Sequence, residues 1–96
     1  MTAKDIAEKV MYFFGEDALV PAYLDANGYS NNPYAFGFTG HLGNKLVIMI
    51  IAKDRCDTWN ITVEIGIGEE SKTYTVCNKD GIVAAEEIEK YMLNEL

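Results

Sequence analysis

The chain has 96 residues, room for one domain over residues 1–96, and 49% of them are apolar, as in globular proteins. Fifteen acidic against eight basic residues give a net charge of −7, which disfavours direct binding to nucleic acid or anionic membranes and favours a basic protein partner. No apolar run approaches the ~20 residues of a membrane span, and the first ten residues resemble no signal segment, so we expect a cytoplasmic protein. Solubility alone also explains such a charge.

The first predicted element is a helix over residues 2–14. Its apolar residues recur at helical spacing and predict one buried face, made of Ala3, Ile6, Ala7, Val10, Met11 and Phe14. Thr2 and Asp5 have the spacing of a capping arrangement, in which the Thr2 side-chain oxygen accepts a hydrogen bond from the Asp5 N–H.

The segment after this helix is harder to interpret. It keeps a helical rhythm of small and apolar residues, but Pro21 prevents one unbroken helix. We expect a short helix from Pro21 to Asn27-Gly28, followed by a loop over Ser-Asn-Asn-Pro.

From Tyr34 onward the apolar period changes from about 3.6 to about 2 residues, which indicates strands. The strands are predicted at residues 34–39, 45–52, 58–67 and 72–77. The stretch Gly-Phe-Thr-Gly-His-Leu-Gly-Asn-Lys at 37–45 lacks the spacing of a phosphate-binding loop, and a strand follows it where such a loop needs a helix. We therefore interpret it as a hairpin.

The last predicted element is a helix over residues 80–95. Asp80 is its predicted N-cap, and its core face consists of Ala85, Ile88, Met92 and Leu96. Short connections favour antiparallel pairing of consecutive strands. We predict an α+β fold, a four-stranded antiparallel meander with the N- and C-terminal helices packed on one face, in the order α-(short α)-β-β-β-β-α.

The second predicted strand, Lys-Leu-Val-Ile-Met-Ile-Ile-Ala, is apolar on both faces. We expect one set of its side chains to face the helices, namely Leu46, Ile48 and Ile50. The other set then forms an outward stripe of Val47, Met49 and Ile51 among polar neighbours. Such an apolar stripe is either covered by another part of the chain or forms a contact surface for another molecule. Residues 16–28 are one cover, and a partner or a second copy of the chain is the other.

The sequence contains no recognisable catalytic, cofactor-binding or metal-binding set. His41 is the only histidine, and Cys56 and Cys77 are isolated, so we expect two free thiols. Adjacent carboxylates occur at Glu16-Asp17, Glu69-Glu70 and Glu86-Glu87, all at positions predicted to be solvent-exposed. Carboxylate pairs that act in acid–base catalysis instead lie in a cleft with apolar walls. We therefore expect a protein that is not an enzyme and needs neither cofactor nor metal.

The acidic residues are the candidates for contact with a partner. They are Asp54, Asp57, Glu69, Glu70, Glu86, Glu87 and Glu89. Electrostatic complementarity directs such groups to a basic protein. The function that fits best is a small inhibitor of a basic nucleic-acid-binding protein, such as an antagonist of a bacterial defence nuclease. The alternatives are an immunity protein against a toxin and a self-assembling homodimeric structural domain.

Overall fold

The computed structural model describes residues 1–14, 33–66 and 70–95, with residues 11–14 described by their backbone. The elements are α1 (Ala3–Phe14), β1 (Ala35–Leu42), β2 (Lys45–Lys53), β3 (Trp59–Ile65), β4 (Lys72–Asn78) and α2 (Gly81–Leu93). These elements confirm the predicted α+β class and the order of its two long helices and four strands. The predicted short helix near Pro21 lies outside the described residues. Within the described ranges, no helix is long and apolar enough to span a membrane.

The sheet is an antiparallel meander in which each strand pairs with the next one along the chain, in the order β1-β2-β3-β4. The β1–β2 hairpin turns on Gly43 and Asn44, between the paired residues Leu42 and Lys45. Gly43 has a φ of +63°, and a glycine at the first central position is typical of a type II′ turn. The stretch 37–45 is therefore a hairpin, as predicted, although β1 continues three residues beyond the predicted end at Thr39.

Both helices begin with the predicted caps. The Thr2 N–H donates to Asp5 Oδ2 at 2.7 Å, and the Asp5 N–H donates to Thr2 Oγ1 at 3.2 Å. The first of these bonds is the main reason that the pKa of Asp5 is lowered. Asp80 Oδ1 accepts the N–H groups of Ile82 at 2.9 Å and Val83 at 3.4 Å. These bonds satisfy donors that the first turn of a helix leaves without an intrahelical acceptor.

The core lies between the two helices and one face of the sheet. From α1 it includes four of the predicted residues, all with 0% exposure, namely Ala3, Ile6, Ala7 and Val10. From α2 it includes Ala84, Ala85, Ile88 and Met92. The predicted core side chains of Met11, Phe14 and Leu96 lie outside the described set.

The predicted orientation of β2 is wrong. The residues expected to form an outward stripe are fully buried in the core, each at 0% exposure: Val47, Met49 and Ile51. The reason is the register, which pairs these residues with the inward side of β3 as Val47–Ile65, Met49–Val63 and Ile51–Ile61. Directly paired residues point to the same face of a sheet. The apolar side of β3 therefore fixes which side of β2 faces the helices.

The outer face of the sheet carries the other side of β2. Its central stripe is half-buried and consists of Leu46, Ile48 and Ile50. Polar side chains flank this stripe, including Thr39 of β1 and Thr62 of β3. The Thr62 and Thr75 hydroxyl oxygens lie 3.5 Å apart and link β3 to β4 on this face. An apolar stripe on a polar face thus exists, with members other than those predicted.

Candidate functional site

The structure separates the predicted contact carboxylates into different regions. Asp54 and Asp57 lie in the β2–β3 turn, and Glu70 lies in the β3–β4 connection at the opposite end of the sheet. Three others lie on α2: Glu86, Glu87 and Glu89. Glu69 lies outside the described residues. The acidic set is therefore not one continuous surface, and each region has to be considered separately.

Asp54 builds the β2–β3 turn. Its Oδ1 accepts the N–H of Cys56 at 2.8 Å and that of Thr58 at 3.1 Å, and its Oδ2 accepts the Asn60 amide at 3.0 Å. The Asn60 amide, followed by the Thr58 N–H, lowers the pKa of Asp54. A carboxylate with both oxygens engaged in this way shapes the loop and has little capacity left for a partner.

Asp57 has a local cation beside it. Lys53 Nζ lies 3.7 Å from Asp57 Oδ1. The same ammonium lies 5.3 Å from the Tyr34 ring centroid and 5.5 Å from the Trp59 ring centroid, within the range of cation–π attraction. Lys53 thus offsets the charge of Asp57, and the β2–β3 turn is a weaker candidate for binding a cation than α2.

Helix α2 has two distinct exposed sides. At about 3.6 residues per turn, one side carries Ile82, Glu86, Glu89 and Leu93, and the other carries Val83, Glu87 and Tyr91. The first side faces α1, because Ile82, Glu86 and Glu89 line a groove together with Lys9. The second side faces β4, because the Tyr91 ring stacks on the Tyr74 ring at 5.1 Å between centroids and 12° between planes.

The groove between the helices, which we call the helical groove, is lined by Lys9, Ile82, Ala85, Glu86 and Glu89 and has a volume of about 310 Å³. Ala85 is buried, and Ile82 is 39% exposed. Burial raises the pKa of Glu89, repulsion from Glu86 raises it further, and Lys9 opposes both. The two carboxylates outnumber the one ammonium. A cation entering the groove would relieve the repulsion between them.

The shape and charge of the helical groove suit a lysine or arginine side chain. Such a side chain lays its aliphatic stem along apolar surface and keeps its charged head at a polar rim. Here Ile82 and Ala85 supply the apolar surface, and Glu86 and Glu89 supply the acceptors. The sequence placed Glu86 and Glu89 among the candidates, but it could not show that Lys9, from the other end of the chain, joins them.

A polar cluster that the sequence analysis missed fixes the end of α2. The Glu95 side chain is 8% exposed, and both lysines that contact it, Lys45 and Lys72, place their Nζ atoms 3.4 Å from its carboxylate oxygens. The Tyr74 hydroxyl donates to Glu95 Oε1 at 2.5 Å. This bond is the main cause of the lowered pKa of Glu95 and of the raised pKa of Tyr74.

The cluster around Glu95 joins the C-terminal end of α2 to β2 and β4. A carboxylate near a helix C-terminus opposes the helix dipole and is unfavourable unless cations compensate it. This was the signal available in the sequence, although the sequence does not say which lysines compensate Glu95. The cluster holds α2 in place and so positions both of its exposed sides.

The remaining reactive side chains are dispersed. Cys56 and Cys77 are free and exposed, and Cys77 Sγ donates to Asn60 Oδ1 at 2.9 Å. His41 is exposed near the end of β1, paired with Leu46, and not at the tip of the hairpin. Within residues 1–14, 33–66 and 70–95, no group of three or more His, Cys, Asp or Glu side chains is arranged to hold a metal ion.

Comparisons of the chain with protein-family models, with curated proteins and with solved structures give no match. The function is therefore inferred from the surfaces described above, and the helical groove is the candidate site.

Proposed function

We propose that the protein is a non-enzymatic binding module that docks a basic protein against the helical groove and inhibits it. The observation that carries the proposal is the composition of α2. Four of the six exposed large hydrophobic residues in the described part of the chain lie on this helix: Ile82, Val83, Tyr91 and Leu93. Ile82 and Leu93 lie on the same side as Glu86 and Glu89. Exposed apolar groups beside carboxylates form a surface that pairs with lysine or arginine side chains and their aliphatic stems.

The electrostatics support a partner that normally binds nucleic acid. A channel that holds phosphates is lined with cations, and the net charge of −7 would steer the protein towards it. Glu89 is already partly desolvated, and its raised pKa reflects that burial and the repulsion from Glu86. An arginine or lysine of the partner would compensate both effects at once. Inhibition follows because the docked protein occupies the channel.

The compartment of the proposed partner is the cytoplasm. Cys56 and Cys77 are free, exposed thiols, which persist in a reducing compartment. A nuclease or other nucleic-acid-binding protein of that compartment is the expected target, and an antagonist of a bacterial defence nuclease is one example.

The test is an affinity capture that compares two double variants with equal charge. E86K/E89K reverses the carboxylates of the helical groove. E64K/E70K reverses two exposed carboxylates elsewhere, on the outer sheet face and in the β3–β4 connection. Each double variant changes the net charge from −7 to −3, because each Glu→Lys exchange adds two charges. Any difference between them therefore reports position and not total charge.

We expect the wild type and E64K/E70K to capture one basic protein at low salt, and E86K/E89K to lose it. The captured protein, once purified, should bind nucleic acid less tightly in the presence of the wild type, and its affinity for the wild type should fall as salt rises. The proposal is wrong if the two double variants bind equally, if the captured protein is acidic or neutral, or if nothing is captured.

A further inference from the structure

The hydrogen-bond pattern of the sheet determines which backbone N–H and C=O groups of the edge strand β4 point away from β3. Leu42 and Lys45 close a two-residue hairpin, so they exchange both backbone hydrogen bonds. Backbone hydrogen bonds alternate in direction along a strand, so the odd-numbered residues of β2 bond to β1 and the even-numbered residues bond to β3. Two bonds of 2.8 Å agree with this pattern, from the Lys53 N–H to the Tyr34 carbonyl and from the Gly66 N–H to the Leu46 carbonyl.

The same alternation carries through β3 to β4. The residues of β4 that bond to β3 are Lys72, Tyr74, Val76 and Asn78, opposite the apolar side of β3. The N–H and C=O groups of Thr73, Thr75 and Cys77 therefore point away from the sheet. All three residues are exposed, and the sheet order ends on β4. No described residue pairs with this edge. A row of outward backbone groups of this kind is a template for another strand.

We propose that β4 pairs antiparallel with β4 of a second copy of the chain, about a two-fold axis at Thr75. In this register Thr75 lies opposite Thr75 of the second copy, and Thr73 lies opposite Cys77 in both directions. Three directly opposed residue pairs supply about six backbone hydrogen bonds. The two sheets become one sheet, and the contact is isologous, as the symmetry of a closed dimer requires.

The sequence of β4 is self-complementary in this register. Tyr74 lies opposite Val76, an aromatic–β-branched pair that favours strand association. Lys72 lies opposite Asn78, so no two like charges are directly opposed. The register of β4 against β3 is continuous, and the strand contains no proline, so nothing bends the edge away from a second strand.

The charge of the β4 side supports a second copy over another kind of partner. Two copies of net charge −7 repel each other, and they do so least where the local charge of the contact surface is nearly balanced. Around β4 the charges nearly cancel, because four lysines accompany five carboxylates: Lys45, Lys72, Lys79 and Lys90 against Glu64, Glu70, Asp80, Glu87 and Glu95. The exposed Val83 and Tyr91 lie on the β4 side of α2 and would lie beside α2 of the second copy. The helical groove lies on the other side of α2, so the dimer would present two grooves.

The first experiment places single cysteines on β4 in a C56S/C77S background. T75C puts a thiol opposite itself across the axis, with Cα atoms about 5.5 Å apart, within disulfide range. T73C is the matched control, because it lies on the same exposed face but about 13 Å along the strand from its own copy. When Cys77 is restored in the T73C chain, the introduced thiol of one copy lies opposite Cys77 of the other copy.

Mild oxidation should form a disulfide-linked dimer of T75C, no disulfide-linked dimer of T73C, and a disulfide-linked dimer of T73C when Cys77 is present. Equal linkage of T75C and T73C, or no linkage of any variant, would overturn the proposed register.

The second experiment measures the association without a new thiol. Sedimentation of the wild type at concentrations on the order of 10 to 500 µM, the range for a small interface, should show dimers forming as concentration rises. T75P removes an outward N–H and the exposed Thr75 hydroxyl that lies 3.5 Å from the Thr62 hydroxyl. An edge strand tolerates proline at a position whose N–H points outward, so T75P should remain folded by circular dichroism and lose the dimer. A wild type that stays monomeric throughout, or a folded T75P that still forms dimers, contradicts the proposal.

Discussion

The corrected orientation of β2 can be tested with two neighbouring isoleucines. Ile51 has 0% exposure and faces the helices, whereas Ile50 is half-buried on the outer face of the sheet. I51T and I50T make the same chemical change one residue apart in one strand. A large difference in stability between the two variants therefore depends on which face of the sheet each isoleucine occupies and not on the type of substitution.

The two variants should differ in free energy of unfolding by more than the error of the measurement. Shortening a buried isoleucine to the size of valine costs about 0.5–1.5 kcal/mol, and burying a hydroxyl without a partner costs about 1–3 kcal/mol. I51T should therefore destabilise the protein by about 2–4 kcal/mol. At Ile50 water reaches the new hydroxyl, so I50T should cost below about 1 kcal/mol.

Thermal unfolding followed by circular dichroism is the assay. At about 4–8 °C per kcal/mol for a domain of this size, Tm should fall by about 10–30 °C for I51T and by less than about 8 °C for I50T. Urea titration should give the same order with unchanged slopes, which would show that neither variant alters the unfolded chain. If I50T lowers Tm as much as I51T does, or more, the structure has β2 facing the wrong way.

Three further changes test the ends and sides of α2. Because the folded pKa of Glu95 is lowered, its charge stabilises the fold above the unfolded pKa, and this contribution is lost as pH falls through the folded pKa. E95Q should therefore have a lower free energy of unfolding than the wild type at pH 7 and the same free energy of unfolding in acid. Urea titration at both pH values measures this, and a difference that does not change with pH would refute the role of Glu95. G81A places a Cβ 2.6 Å from Ile6 Cδ1, so Tm should fall in line with about 1–3 kcal/mol of overpacking, and an unchanged Tm would show that Ile6 moves aside freely. E87Q should tighten self-association about twofold by removing a like charge beside the proposed axis, while E86Q leaves it unchanged in sedimentation; the reverse order would place the wrong side of α2 at the axis.

The features predicted correctly from the sequence are those set by neighbours along the chain. The Thr2–Asp5 cap and the Asp80 cap join groups two or three residues apart, and the capping pattern is visible in the sequence itself. The hairpin over residues 37–45 is equally local, although its turn consists of two residues, Gly43 and Asn44, and not of the five between the predicted strands. The antiparallel order followed from short connections, which leave few other topologies.

The features that were missed depend on pairing between strands or between chain ends. Both sides of β2 are apolar, so β2 alone does not determine its own orientation. The register with β3 determines the orientation of β2. The apolar side of β3 is visible in the sequence, and because paired residues point to the same face of a sheet, it could have been used to orient β2. The Glu95 cluster was harder to predict, since Glu95 and Lys45 lie 50 residues apart in sequence.

The separation of Glu86 from Glu87 matters most for function. They are adjacent in sequence, yet one faces α1 and the other faces β4, because a residue step on a helix turns the side chain by about 100°. A net charge of −7 demands that any surface used for self-association be nearly neutral, and that a surface used for a basic partner be negative. The β4 side meets the first demand and the helical groove meets the second. The two proposals therefore use different residues of one helix, and either can fail while the other holds.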